Sequence, residues 1–273
     1  MKAYAKGAAL GIALIGLVAC GGDKKDDGGS KAGGDGDKPA KTEASGGDEG
    51  DAKLYDASAH KGSLTGVVKF GGATIPEKVV LNVSSDAFCT SAADGKEVLD
   101  QQFQVNADGT VPHVFVYASK GPHKTFKGYT APTDFVLQQD GCMYTPHVFG
   151  VMVGQAFQVK NDDQTMHNVN VSPKRNDGAN KGQPPGASDT FTFAKKEKAI
   201  PFTCDVHSWM SAQAWVMVHP FFATTDAEGK FEISGLPDGE YTFKAWHEND
   251  DFGSAEFKVT IAGGEVSQDV TLK

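Results

Sequence analysis

Phe202-Thr-Cys-Asp-Val-His-Ser-Trp-Met210 sets a thiol, an imidazole and a thioether, those of Cys204, His207 and Met210, inside seven residues. Thiolate and thioether are soft donors, and with imidazole they select copper over zinc, magnesium or calcium. A blue-copper centre needs a second imidazole from elsewhere in the fold, completing a trigonal His2Cys plane with the Met sulfur as a weak axial donor. His167 is the candidate. It stands in Val159-Lys-Asn-Asp-Asp-Gln-Thr-Met-His-Asn-Val-Asn-Val171, where an alternating strand runs into a polar turn and a second alternating strand begins just after the histidine. The rest of the chain reads as the scaffold of this loop.

These two motifs, in this order, resemble the cupredoxins, most closely the small plastocyanin/amicyanin-like blue copper proteins with two residues between His and Met. The likeness runs from about Thr145 to Pro220. Pro146 to Asn168 follows the family's succession of Pro, Val, Gly, a hydrophobic strand, Asn-x-Asp and His, and Cys204-x-x-His207-x-x-Met210 is similar to its ligand loop. The resemblance implies a Greek-key β-sandwich and one type 1 copper held by His167, Cys204, His207 and Met210. Asn168 then stands where its amide can bridge the two ligand-bearing loops and orient the donors, or serve simply as a turn residue. One departure is His147, two residues before Phe149, whose role the sequence leaves open.

Met1 to Cys20 carries Lys2 and Lys6, an apolar run from Ala8 to Val18, and the ending Leu17-Val-Ala-Cys20. The run is too short to span a bilayer and reads as a signal peptide. Its end resembles a bacterial lipoprotein box, which implies lipidation of Cys20; an ordinary signal peptide with a stray cysteine is the alternative. No aspartate follows Cys20, so the resemblance implies anchoring in the cell envelope at the outer membrane or surface rather than the inner membrane. Residues 21–53 contain no Val, Leu, Ile, Met or aromatic residue. Such a segment cannot bury a core and is expected to be a solvated, disordered tether.

From Leu54 onward the pattern is all-β. Short alternating runs such as Leu64–Phe70, Val114–Tyr117, Ala156–Val159, Ala214–Val218, Gly229–Ile233 and Tyr241–Trp246 are separated by turn signals at Gly71-Gly72, Asp108-Gly109, Pro237-Asp-Gly239 and Gly263-Gly264. The tail, with Asp226-x-x-Gly229-x-Phe231 and Gly235-Leu-Pro-x-Gly239-x-Tyr241, is similar to the carboxypeptidase regulatory-like (transthyretin-like) β-sandwich. About fifty residues are few for that sandwich, and Gly62–Val68 and Val111–Ser119 have the character of its opening strands. The expected organisation is therefore one regulatory-like sandwich built from 54–130 and 221–273, with a cupredoxin domain, 131–220, inserted between them. Consecutive independent β-modules are the alternative.

The chain has four cysteines. With Cys20 assigned to lipid and Cys204 to metal, Cys89 and Cys142 are left to pair in an oxidising compartment. His60, His113, His123, His147, His219 and His247 show no paired ligand spacing and read as packing or surface residues. Trp209, Phe202, Pro220 and Phe221 lie near the loop in sequence and are candidates for core or for an exposed apolar rim at the second histidine. The run Lys195-Lys-Glu-Lys198 reads as a solvated turn, with docking of an acidic partner such as a cytochrome as the alternative. No phosphate loop, haem-attachment motif or nucleophile elbow is present, so no enzymatic activity is expected. A net charge of -9 argues against a nucleic-acid partner. The expected role is electron exchange with another redox protein, such as a cytochrome; a copper-storage or ligand-binding module is the alternative.

Overall fold

The computed structural model describes residues 52–273. The expected signal peptide, the expected lipidation site at Cys20 and all but the end of the 21–53 segment lie outside them. The described chain is all-β, with one α-helix, α1 (Ala87–Ala92). Its strands are, in order, β1 (Lys53–Leu54), β2 (Gly62–Lys69), β3 (Phe115–Lys120), β4 (Phe126–Lys127), β5 (Val136–Asp140), β6 (Met143–Thr145), β7 (Val148–Met152), β8 (Ala156–Asn161) and β9 (His167–Val171). There follow β10 (Ala179–Gln183), β11 (Ser188–Thr192), β12 (Glu197–Thr203), β13 (Ser211–Met217), β14 (Phe222–Thr224), β15 (Lys230–Leu236), β16 (Gly239–Trp246), β17 (Ser254–Ile261), β18 (Glu265–Ser267) and β19 (Val270–Thr271).

Alternation decides which face each strand buries. In β8 the residues Phe157, Val159 and Asn161 point inward while Ala156, Gln158 and Lys160 meet solvent, the period-2 signature of a sheet wetted on one side. Two sheets, β10-β9-β12-β13-β7 and β11-β8-β5-β6, enclose a core of Leu137, Phe149, Phe157, Val171, Ile200 and Phe202 among others. This sandwich carries the metal-loop motifs.

The second sandwich draws strands from both ends of the described chain. β3 pairs with β14 and β16, and β2 pairs with β15, β18 and β19. Their inner faces share one core, in which Leu64 and Val68 meet Phe231, Ile233, Tyr241 and Phe243. The Asp226-to-Lys230 turn shows why the sequence folds this way: Asp226 Oδ1 accepts the Glu228 and Lys230 N–H groups, and Gly229 takes φ 74°, where a Cβ would be strained.

β7 and β13 are buried on both faces. Phe149, Val151, Ala212 and Ala214 face their own core, whereas Val148, Trp215 and Met217 join Phe115 and Tyr117 of β3 in a separate cluster. The Phe115 and Trp215 rings stack at 4.7 Å, an offset aromatic contact that contributes ~1 kcal/mol beyond area burial. Gly150 makes this approach possible, since a Cβ there would lie 2.3 Å from the Phe222 ring and 2.8 Å from Phe115.

Candidate metal centre

His167 opens β9, and the turn before it is held by side chains. Asn161 Nδ2 donates to the Thr165 and Gln183 carbonyls, both at 2.9 Å, and Asn161 Oδ1 accepts the Asp163 N–H at 3.0 Å. Asp163, fixed in this way, accepts from Gly141 N and Cys142 N at 2.8 Å each and places Oδ2 2.8 Å from His167 Nε2. That contact orients the ring so that Nδ1 points the other way.

Cys204 follows β12 directly, and a tight loop returns the chain at Met210. Cys204 N donates to Met210 O at 3.2 Å and Met210 N donates to His207 O at 2.9 Å, while His207 N donates to Cys204 Sγ at 3.3 Å. His167 Nδ1 lies 2.8 Å from His207 Nδ1, and His207 Nδ1 lies 4.0 Å from Cys204 Sγ. His167, Cys204 and His207 thus offer three donor atoms within 4.8 Å of one another. All three are buried, as is Met210, whose side chain joins the same apolar cluster as Cys204.

The electrostatics favour the thiolate of Cys204 and the protonated ring of His167. Burial alone would raise the Cys204 thiol, but His167 and then the backbone N–H groups of Asn168, His207 and Val206 outweigh it and hold the thiol below its usual range. Burial opposes charge on His167, yet Asp163 and the Cys204 sulfur prevail and raise the imidazole to about 9. A metal ligated by His167 would have to displace that proton, so its binding would release acid.

Asn168 joins the segments that carry His167 and Cys204: Oδ1 accepts Asp205 N, and Nδ2 donates to Asp205 Oδ2 at 2.9 Å and Asn180 Oδ1 at 2.8 Å. Cys89 and Cys142 are disulfide-bonded, and Cys204 is the free thiol of the described residues. Asp86, Cys89 and His207 lie within 4.8 Å of one another, as do Cys142, Asp163 and His167. Since both half-cystines are bonded, the disulfide offers no thiolate and stands as a wall beside the imidazoles.

Two carboxylates absent from the sequence expectation complete the arrangement. Asp163 holds His167, and Asp86 Oδ2 sits 3.3 Å from His207 Nε2 while its Oδ1 caps α1 through Cys89 N. A carboxylate on the far nitrogen fixes the tautomer and leaves Nδ1 for metal. For Asp163 the signal was present in Asn161-x-Asp163; for Asp86 nothing in the sequence ties residue 86 to residue 207.

Of the two alternatives for the aromatics near the loop, burial in a core holds for Phe202 and Phe221. Phe202 and Phe221 are fully buried, Phe221 in the second sandwich's core, and Trp209 is partly buried with Nε1 donating to Cys142 O at 3.1 Å. His207 is only 2% exposed, beneath Asp86. The exposed apolar side chains next to the ligands are Met166 and Val206. Among the other histidines, His147 is buried, with Nδ1 donating to Ser211 O at 2.9 Å and Nε2 against Glu248. It links the residue after Met210 to the second sandwich.

Two imidazole Nδ1 atoms and a cysteine sulfur converge, each imidazole is held from behind by a carboxylate, and a thioether is buried alongside. This donor set fits copper by the softness of its sulfur. No protein-family profile matches the chain, and no curated protein matches its sequence. Among solved structures it is similar to the Cu-containing nitrite reductase of Thermus scotoductus SA-01 (18% identity, 36% of this chain and 26% of that one, TM-score 0.29). It is also similar to a mutant of amicyanin in the Cu(I) form (19% identity, 32% and 85%, TM-score 0.28) and to a purple cupredoxin from Nitrosopumilus maritimus (19%, 30% and 99%, TM-score 0.27). The chain spans about a quarter of the nitrite reductase and most of the two smaller proteins.

Proposed function

We propose that this chain is a type 1 copper protein that carries electrons in the bacterial cell envelope, anchored by lipid at Cys20. The observation that carries the reading is the convergence of one donor atom each from His167, His207 and Cys204 within 4.8 Å of one another, all three residues being buried. When bound, copper supplies a one-electron couple. Asp163 and Asp86 fix the imidazoles, Asn168 ties the ligand-bearing segments together, and the two-sheet core keeps the donors from rearranging. A site that moves little on electron gain or loss exchanges electrons quickly. Met166 and Val206 give a redox partner such as a cytochrome an apolar landing beside the ligands. Residues 131–220 are read as the cupredoxin domain, and the pairing of β2 and β3 with strands after 221 supports its insertion into a regulatory-like sandwich.

The covered edge of His207 favours a second reading, in which the chain holds copper without passing electrons. Voltammetry of the copper-loaded protein separates the two. A reversible one-electron wave, with rapid oxidation of the Cu(I) form by a c-type cytochrome, is the expected result; an irreversible response overturns the carrier role.

A further inference from the structure

On the side of the molecule lined by β3, β4 and β13, a cleft of about 810 Å³ opens between the two sandwiches. That volume suits a small organic ligand. Its lining includes Lys124, Lys127, Lys196, Lys198 and Lys244 and no aspartate or glutamate. In a chain of net charge -9, this is a local reversal of sign. Of the five, Lys244 pairs with Glu256 at 3.1 Å. Lys198 lies over the Tyr117 and Trp215 rings at 5.5 and 5.4 Å and donates to Tyr117 Oη at 3.2 Å. Lys124, Lys127 and Lys196 have no carboxylate partner among the described residues.

The basic run at 195–198 is therefore not a plain solvated turn. Glu197, the acid within it, turns inward to the 174–176 backbone, which leaves Lys196 and Lys198 uncompensated at the cleft. Partial loss of solvent and then Lys198, Lys124 and Arg175 hold the Lys196 ammonium below the ordinary lysine range. Between the cations the wall is apolar, formed by Tyr117, Phe126, Tyr129, Met152 and Met217. At the inner end His123, 3% exposed, has an Nδ1 with no hydrogen-bond partner, an unfavourable arrangement in an interior.

We infer that this cleft binds a small organic anion, a carboxylate or phosphate carried on an apolar or aromatic body. The cation set neutralises the anionic group, and the aromatic and methionine wall covers the body. An acidic protein segment would match the lysines but leave the apolar wall unused. The site is separate from the metal-ligating residues and is independent of the copper reading.

The test is isothermal titration of the full chain with 2-naphthoate and phenyl phosphate, with 2-naphthylmethanol as the neutral counterpart and a hexaglutamate peptide as the acidic polymer. One site per chain for at least one of the two anions is expected, with no binding of the alcohol. Lys124→Ala/Lys196→Ala should weaken that binding at least tenfold with an unchanged unfolding temperature, because both side chains are exposed. Absence of binding by both anions, equal binding of the alcohol, affinity unchanged in the double variant, or tighter binding of hexaglutamate than of either anion would each overturn the proposal. If the double variant proves unstable, loss of anion affinity as ionic strength rises is the second readout, and salt-independent binding contradicts the proposal.

Discussion

His167 and His207 face each other through Nδ1 atoms 2.8 Å apart, and behind each ring an aspartate, Asp163 or Asp86, holds Nε2. The two carboxylates differ in what else they do. Asp163 is buried and also satisfies the Gly141 and Cys142 N–H groups, whereas Asp86 is partly exposed and caps a short helix.

Asp86→Ala should leave the protein folded and weaken copper binding roughly 10–100-fold, the usual cost of losing a partner to a ligand imidazole. Asp163→Ala should in addition lower stability by about 3 kcal/mol, since the buried Cys142 N–H and the part-buried Gly141 N–H lose their acceptor. Competitive copper titration and denaturant unfolding of both variants check the distinction. Equal behaviour of the two would show that Asp163 has no separate structural role.

The Cys89–Cys142 bond closes a loop of sequence separation 53, for which chain-entropy arguments give about 4 kcal/mol. Cys89→Ser/Cys142→Ser should lose much of that and free α1, so the unfolding midpoint in denaturant should fall. A midpoint within error of the wild type would show that packing alone seats the helix.

Gly150 lies at a close approach of the two sandwiches. Gly150→Ala drives a methyl into the Phe222 and Phe115 rings and should cost about 1–3 kcal/mol as overpacking, measured by thermal unfolding. No destabilisation would mean that the aromatic cluster yields.

Glu197 makes a pH signature. It accepts from the Lys174, Arg175 and Asn176 N–H groups; burial would raise its carboxyl, but these bonds and the Asn176 side chain outweigh burial and lower it from 4.5. A depressed folded value means the contribution is fully present above the unfolded value of 4.5 and is lost as pH falls through the folded one. Glu197→Gln should therefore be less stable than wild type by about 1.5–3 kcal/mol at neutral pH, with the gap narrowing below 4.5. Unfolding curves across pH test this, and a pH-independent gap contradicts it.

Strand alternation made the all-β fold legible, because exposed and buried residues trade places along β2 and β8 as the sequence does. The grouping of the candidate donors was legible because chemistry restricts which residue types bind a soft metal, and three of them lie in one loop. What covers the site was not. Asp86 and His207 are distant in sequence and meet only through tertiary packing, and the burial of Phe202, Phe221 and His147 depends on which sheet each strand faces. The cleft likewise arises from lysines of three separate segments, and no local pattern reports such a juxtaposition.

The central claim is that Cys204 is a copper thiolate, and the visible spectrum of the Cu(II)-loaded chain tests it most directly. An intense blue band from sulfur-to-copper charge transfer is expected. Cys204→Ser should abolish it, His167→Ala or His207→Ala should convert the spectrum toward ordinary tetragonal Cu(II), and Met210→Leu should remain blue with a higher reduction potential. A wild-type protein that binds Cu(II) without that band, or a Cys204→Ser protein that stays blue, would contradict the account.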